Sequence, residues 1–251
     1  MASILDRYGI KEVADVTFYK ITTDAETGKA VAGAPVLYLD TLKVSTIEQT
    51  AEQAEARGGK GNPPLIIWDY GKEINVTLED ALFSAKSMAI MFGEDNVTLG
   101  DTTSIKRTVS AAMVNDEGKF TLLGVDYTLA GMPNVTYYDE NGDAGSADEF
   151  AFATFDQKVI GSTIEISANS FPGTYYVTGD TFARSEITGE DEFFQFIIPK
   201  AKVQSENTIT LEAEGDPSVF NMSLRVMRPA DGVMMKLVKY TADNTATTAE
   251  G

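Results

Sequence analysis

The chain has 251 residues, of which 38 are acidic and 20 basic, so its formal net charge is −18. This balance disfavours a surface that binds nucleic-acid phosphates and favours one that repels polyanions. The chain contains neither histidine nor cysteine, which excludes histidine metal ligands, a Ser-His-Asp triad, thiolate chemistry and disulfides.

The first part of the chain has the pattern of β-strands separated by turns. Runs rich in Val, Ile, Thr, Phe and Tyr predict strands over residues 16–21, 36–40 and 42–47. Residues 48–64, EQTAEQAEARGGKGNPP, are polar and glycine-rich and end in two prolines, which argues against a central strand and against a long helix. We therefore predict a long exposed loop here, and loops of this length are usually functional or disordered.

One α-helix is predicted, over residues 78–92, after strands at 65–70 and 73–78. Thr77 is placed to act as its N-cap, with Asp80 three residues later in a pattern like a capping box. Gly93 is placed to end the helix in a left-handed conformation. Helical spacing predicts one apolar face, formed by Leu82, Ala85, Ala89 and Phe92.

The second half again predicts strands, over residues 104–109, 120–125, 163–166, 175–178, 193–198, 208–212 and 220–226. A hairpin turn is expected at 115–118, between the strands at 104–109 and 120–125, and another turn at 141–142. The run 220–226 is the clearest strand because apolar and polar residues alternate along it, and 234–240 is placed to pair with it. The predicted fold is mainly β: a β-sandwich or barrel-like fold with one flanking α-helix and the long exposed loop.

No set of residues has the spacing of a catalytic or ligand-binding site. Residues 139–143 begin like a calcium loop, but Ala144 and Phe150 stand where that loop requires Gly and Glu, so a solvated hairpin tip is favoured. Four aromatic residues are candidates for a sugar-binding platform, although aromatic residues in strands more often belong to a core: Trp68, Tyr70, Tyr175 and Tyr176. No pair of carboxylates is singled out for glycoside hydrolysis. We predict no enzymatic activity, no metal and no cofactor.

Three stretches of the chain resemble the major tail tube proteins of tailed bacteriophages. They are LDTLKVSTIEQTAEQAEARGGKGNPPLIIWDYGKEINVTLEDALFS from Leu39, FPGTYYVTGDTFARSEITGEDEFFQFIIPKAKV from Phe171 and LEAEGDPSVFNMSLRVMRPADGVMMKLVKY from Leu211. The resemblance implies subunits that form rings, usually hexamers, which stack into a hollow tube. Inner strands of neighbouring subunits are expected to close one continuous barrel, through which DNA passes without specific binding.

The resemblance also implies where this chain acts and with what. Its expected partners are further copies of itself and other tail proteins, namely a tape measure protein, a terminator and a sheath, with no membrane association. It is expected in the tail of the virion, after assembly in the host cytoplasm. Residues 1–240 are interpreted as one tail-tube-like β domain, with 101–161 as a candidate inserted hairpin or subdomain and 241–251 as a flexible tail.

The long loop is interpreted as an arm that reaches the next ring. Its candidate inter-ring contacts are Glu48, Glu52, Glu55, Arg57, Lys60 and Asn62. We also expect acidic side chains to line the lumen, where they repel each passing phosphate.

Two other functions stay open at this point. One is another virion protein with a related β fold, such as a head decoration protein or a tail terminator, and the other is a carbohydrate-binding β-sandwich. The first ten residues lack the features of a signal peptide, and no apolar run reaches the ~18 residues that a membrane-spanning helix requires. We therefore expect a soluble protein made in the cytoplasm.

Overall fold

The computed structural model describes residues 7–93, 98–206 and 219–240, apart from the side chains of 98–101 and 162. The chain forms two compact units. The first contains the described residues up to 93 and from 164 onward, and the second is the intervening segment Thr98–Thr163. The predicted strand at 208–212 and the predicted tail at 241–251 lie outside the described residues.

The described residues are mainly β-strand, as predicted, with a single short α-helix. Before the second unit, the elements are β1 (Tyr8–Ile10), β2 (Asp15–Thr23), β3 (Ala30–Leu39), β4 (Leu42–Arg57), β5 (Pro64–Asp80) and α1 (Ala85–Phe92). The second unit contains β6 (Thr98–Ser110), β7 (Lys119–Leu122), β8 (Val125–Thr128), β9 (Thr136–Tyr138) and β10 (Phe152–Thr163). The chain then returns to the first unit with β11 (Thr174–Ser185), β12 (Asp191–Val203), β13 (Phe220–Val226) and β14 (Lys236–Tyr240).

One antiparallel sheet organises the first unit. Its strands lie in the order β3-β2-β11-β12-β13-β5-β4, and β1 and β14 pair in addition with β11 and β12. The long strands β11 and β12 each have two neighbours along one edge: β12, for example, pairs with β13 near Ala201 and with β14 near Gln195. Among the described residues the sheet is open, with β3 and β4 as its outer strands, so those residues do not form the closed barrel that the sequence suggested.

The sheet curls around one hydrophobic core. Phe18 of β2 and Leu37 of β3 belong to the same buried cluster as Val76 of β5 and Leu224 of β13, so strands from both outer parts of the sheet face each other across it. The predicted strand 220–226 is confirmed: its apolar residues Phe220, Met222, Leu224 and Val226 are buried and the residues between them are not. Full burial of such apolar side chains contributes about 2 kcal/mol each.

The helix begins later than predicted. Ser84 and Ser87 cap it reciprocally, because the Ser87 N–H donates to Ser84 Oγ (3.0 Å) and the Ser84 N–H donates to Ser87 Oγ (2.9 Å). The predicted cap around Thr77 is wrong because residues 77–80 pair with β13 and β4 and belong to β5. The predicted end is confirmed: Gly93 adopts φ 92°. Ala89, Ile90 and Met91 are buried, whereas Leu82 precedes the helix and is exposed.

The predicted long loop at 48–64 is wrong. Residues up to Arg57 continue β4, and only residues 58–63 form the turn into β5. The backbone groups of residues 52–57 pair with residues 64–70. This segment is therefore extended because a neighbouring strand pairs with it, despite its low intrinsic preference for β structure.

The second unit has its own small core. Strand β10 pairs with β6 along its length, from Phe152 opposite Ser110 to Thr163 opposite Thr98, and also pairs with β9. The core consists of Val109, Phe120, Leu129, Ala153 and Phe155. Because Thr98 and Thr163 are pairing partners, the chain enters and leaves this unit on adjacent strands.

Four further predictions of local structure need correction. The strand predicted at 120–125 is divided between β7 and β8, because the turn at Leu123 and Gly124 lies inside it. Residues 234–240 do not pair with β13; β14 pairs with β12. The turn at 115–118 forms, but it does not join two paired strands, because β7 pairs with β8 and β6 with β10. The strand predicted at 163–166 reduces to Thr163 at the end of β10. The turn at 141–142 is confirmed, with Gly142 at φ 84°.

Candidate functional site

The outer half of the β4–β5 hairpin has no covered face. From residue 48 to residue 72 every residue is exposed, apart from the half-buried Ala56 and Gly58. Farther along β5, Ile74, Val76 and Leu78 are buried. We call residues 52–70 the arm. Since an isolated two-stranded hairpin is marginally stable in water, an uncovered hairpin of this length indicates a surface that another molecule covers.

The turn at the end of the arm is built for tight reversal. Gly59, Gly61 and Asn62 all have positive φ, at 85°, 90° and 52°, which is the region that glycine and asparagine tolerate best. The Gly58 N–H donates to the Pro63 carbonyl (3.2 Å) and the Asn62 N–H to the Gly59 carbonyl (3.1 Å). The glycines and prolines that suggested a loop therefore close a hairpin.

The two faces of the arm differ in polarity. Side chains alternate across a strand pair, so Trp68 shares a face with its partner Ala54, and Ile66 and Tyr70 share that face with Ala56 and Glu52. We call this set the apolar row; its members on β5 are Ile66, Trp68 and Tyr70. Ile66, Trp68 and Tyr70 are each about half exposed, at 52%, 52% and 53%.

The opposite face of the arm carries polar side chains together with two exposed apolar ones, Leu65 and Ile67. There Gln53 Nε2 donates to Asp69 Oδ1 (2.9 Å), and Arg57 Nε donates to Glu55 Oε2 (2.6 Å). Ile67 shares this face, opposite Glu55. The arm is thus an amphipathic ribbon: both of its aromatic side chains, Trp68 and Tyr70, lie on one face, and these two hydrogen bonds lie on the other.

A β-bulge separates the arm from the base of the hairpin. The pairing passes from Thr50 opposite Glu73 to Glu52 opposite Tyr70, so residue 51 faces the two residues Gly71 and Lys72. Gly71 has φ 63°, as in bulges that place a glycine in the left-handed region. Along β4 the side chains alternate between the two faces of the ribbon without interruption from Ser45 onward. The bulge adds one residue to β5 and so reverses the alternation of its side chains, which places the apolar row on the face of the ribbon opposite the core.

Both outer strands of the main sheet also have an unpaired edge among the described residues. Edges of this kind accept strands of another chain, and monomeric proteins usually blunt or cover them. Strand β4 is 16 residues long, well above the typical strand length of about 5–6 residues. A long unpaired edge beside an uncovered apolar row is typical of a surface through which one chain assembles with another.

A profile of the YomU/Tube protein family matches residues 8–239. The chain belongs to this family. It is also 27% identical, over 261 aligned positions, to the Tail tube protein of Bacillus phage SPR, an alignment that covers 96% of this chain and 92% of that relative. The resemblance to phage tail tube proteins is therefore confirmed, and the YomU/Tube chain belongs to a β-rich structural family of the phage tail.

In this YomU/Tube chain, the predicted contact residues all lie on the hairpin. Glu48 lies at its base, opposite Asn75. Glu52, Glu55 and Arg57 lie in β4, and the last two bond to each other. Lys60 and Asn62 lie in the turn. Whether these residues contact another ring stays a prediction.

Sequence reasoning missed the apolar row. Residues 65–70 were expected to form an ordinary strand, and Trp68 and Tyr70 were considered only as part of a sugar-binding platform. The structure does not bring that platform together, because Tyr175 is buried in the core against Phe18 (ring centroids 5.9 Å apart) while Trp68 and Tyr70 lie on the arm. One signal for it was present in the sequence. Ala54 and Ala56 alternate with polar residues, as in a strand with one apolar face, and a turn and an apolar run of similar length follow directly.

The acidic loop at 139–143 has the structure of a hairpin tip. Asp139 Oδ1 accepts hydrogen bonds from the N–H groups of Asn141 and Asp143, both at 2.9 Å. The bond from Asp143 is the main cause that lowers the pKa of Asp139. Across the described residues, no three His, Cys, Asp or Glu side chains are grouped so that they could hold a metal ion, and no helix there is long and apolar enough to cross a bilayer.

Proposed function

We propose that this chain is a tail tube subunit whose copies assemble into rings, and that the rings stack into a hollow conduit for DNA. The relative from Bacillus phage SPR bears the name Tail tube protein, and the family match spans nearly the whole chain. The ring is a hexamer, as the resemblance to tail tube proteins implies. The task of the molecule is to make a passage of fixed shape, and no chemical step is required of it.

The uncovered apolar row carries this proposal. Ile66, Trp68 and Tyr70 are each about half exposed, so covering the rest of each side chain contributes about 1 kcal/mol. A tube repeats every contact many times, which makes modest contacts between two copies sufficient for a stable assembly. A chain that acts alone gains nothing from an arm with an uncovered apolar row.

The arm is the element that joins successive rings in this proposal. Its turn, with Lys60 and Asn62, lies at the end of the hairpin and is the part able to reach farthest from the core. Glu52, which shares a face with the apolar row, is the polar side chain of the arm's strands that contacts the next ring in this proposal. Edge pairing of β3 and β4 between neighbouring copies closes the inner wall within a ring.

The acidic composition suits a conduit for DNA. With a net charge of −18, the chain is expected to have a low affinity for DNA, because affinity for nucleic acid comes largely from Lys and Arg. At ~0.15 M salt the screening length is ~8 Å, so carboxylates on the lumen wall repel DNA close to it. We infer that acidic side chains face the lumen.

The partners of the chain in this proposal are other proteins of the tail. They are the tape measure protein, the terminator and further tail proteins, which join the tube during assembly in the host cytoplasm.

Negative-stain electron microscopy of the purified full chain tests the proposal. At high protein concentration, or on addition of salt, the chain is expected to form hollow filaments with a regular axial repeat. Compact particles of monomer size at every concentration and salt condition would argue for a decoration protein or a sugar-binding module. Titration with oligosaccharides, followed by Trp68 fluorescence, then separates these two alternatives.

A further inference from the structure

An apolar groove of about 480 Å³ lies within the first unit, beside the base of β4. One wall is formed by β4, including Val44, Ser45 and Ile47, and the other by residues 10–14 before β2. Its floor consists of apolar residues of the neighbouring strands, among them Val76, Leu78, Val177, Phe196, Ile198 and Leu224. A groove of this volume is large enough for an aromatic side chain and its neighbours.

We propose that this groove receives the apolar row of the arm of a second copy of the chain. The inference rests on the proposed function, since it assigns the surface with which one tube subunit holds the next. The chain carries an uncovered amphipathic ribbon and an unfilled apolar groove, and the two lie at different places on the same unit. Trp68, flanked by Ile66 and Tyr70, is the side chain that enters the groove.

The polar groups of the groove support an occupant that can form hydrogen bonds. Ser45 Oγ and Thr178 Oγ1 belong to residues that line it, and both are buried without a hydrogen-bond partner among the described residues. Buried hydroxyl groups normally have a partner. The apolar row carries two donors, the Trp68 indole N–H and the Tyr70 hydroxyl, whereas a purely aliphatic occupant would bring none.

Charge also favours this occupant. Of the three charged residues that line the groove, Lys11 and Glu12 pair with each other, which leaves Lys43. Glu52 lies on the arm opposite Tyr70. Among the described residues, no ion pair involves Lys43 or Glu52. When Trp68 enters the groove, Glu52 two residues along its partner strand is placed to reach a cation at the rim.

An arm-to-groove contact is heterologous, because it joins two different surfaces of identical chains. Such contacts extend into closed rings or into open filaments. Each copy both offers an arm and accepts one, so a defect in either surface stops growth. Two copies with different defects can still form one contact with each other, and this gives the proposal a specific test.

The test uses two variants and one matched control. Ser45→Phe fills the groove and leaves the arm intact, and Trp68→Glu damages the arm and leaves the groove intact. Thr46→Phe is the control, because Thr46 is the exposed neighbour of Ser45 on the opposite face of β4 and does not line the groove. Circular dichroism and the melting temperature establish that each variant is folded; if Ser45→Phe is not, Ile47→Glu at the same wall replaces it.

We expect the protein concentration required for assembly to be about tenfold higher or more for the groove variant than for the wild type. The control is expected to assemble like the wild type. When the groove variant and Trp68→Glu are assembled separately and then mixed in equal amounts, one ring of each joins the other, and sedimentation velocity is expected to show pairs of rings and no longer stacks. Since Trp68→Glu contains no tryptophan, a blue shift of the mixture comes only from Trp68 of the groove variant. Normal tubes from the groove variant, or a mixture with unshifted emission and no particles larger than those of each variant alone, would overturn this inference. Normal tubes would still support the proposed function.

Discussion

Trp68 and Ala54 stand opposite each other on the arm, and the small alanine leaves the indole uncovered on one side, with 52% of Trp68 exposed. Its neighbour Ile67 is exposed to almost the same extent, 51%, but lies on the polar face. These two residues therefore form a matched pair of test positions: they are equally accessible and adjacent, and they point to opposite sides of one ribbon.

We predict that Trp68→Glu strongly weakens assembly, whereas Ile67→Glu leaves most of it. The first change removes an aromatic contact and would bury a charge in the interface, so the concentration required for assembly rises by about tenfold or more. Neither change is expected to alter the melting temperature of the unassembled chain, because both side chains lie outside the core. Sedimentation velocity over a concentration series measures the effect, and equal losses for both variants would argue against a role specific to the apolar row.

Gly93 is predicted to be one of the least replaceable residues of the first unit. It has φ 92°, and a Cβ placed on it would lie 2.4 Å from the Phe171 carbonyl carbon. Gly93→Ala is expected to lower the free energy of unfolding by about 2 kcal/mol or more, from backbone strain and steric overlap together. Gly28→Ala is the control, since Gly28 also has a positive φ but no atom near its Cβ position, and about 1 kcal/mol is expected there. Urea unfolding measures both, and equal losses would show that the contact with Phe171 does not matter.

Asp191 gives a prediction about pH. Its carboxylate accepts hydrogen bonds from Arg184 (2.7 and 3.0 Å) and lies 3.4 Å from Lys11 Nζ, and the Arg184 guanidinium is the main cause that lowers the pKa of Asp191 from 3.8 to about 2. Because the pKa is lower in the folded chain, this contribution to stability is fully present above pH 3.8 and is lost as the pH falls to about 2.

The stability difference between the wild type and Asp191→Asn is therefore expected to stay constant above pH 3.8 and to shrink towards pH 2. Urea midpoints measured across that range test it. Glu190→Gln, at the neighbouring position, serves as the control and is expected to change little. A difference that does not depend on pH would contradict the ionic origin.

The second unit is predicted to be removable. Its first and last residues, Thr98 and Thr163, are pairing partners on adjacent strands, so their backbones lie about 5 Å apart and a short glycine-serine linker can replace 98–163. The shortened chain is expected to keep the fold and the assembly of the first unit, since its core residues lie outside the deleted segment. Circular dichroism and electron microscopy of the deletion variant provide the test, and a folded chain that no longer assembles would give the segment a direct role in tube formation.

The sequence was informative where local pattern and tertiary structure agree. Phe220–Val226 could be predicted to its ends because one face is buried and the other is not, and Gly93 because the helix needs a left-handed residue there. The start of the helix was misplaced because Thr77 and Asp80 look like a cap, while pairing of Leu78 with Met222 holds this segment in β5.

The arm shows why part of the candidate site could not be predicted. Residues 48–57 consist mainly of Glu, Gln, Ala and Thr, which have little collective preference for strands. They become extended because residues 64–70 pair with them. The position of Trp68 on the uncovered face depends in addition on the bulge at Gly71, which changes the alternation along β5 and cannot be located from residue types alone.

The emission of Trp68 before and after assembly tests the central claim most directly. Trp68 is the only tryptophan of the chain, so its fluorescence reports on the arm and on nothing else. If the apolar row is covered when copies join, the emission maximum shifts to the blue and acrylamide quenching falls in step with the appearance of tubes in the same sample. Tubes in which Trp68 keeps the emission maximum and the quenching of the unassembled chain would contradict the claim that the arm holds the subunits together.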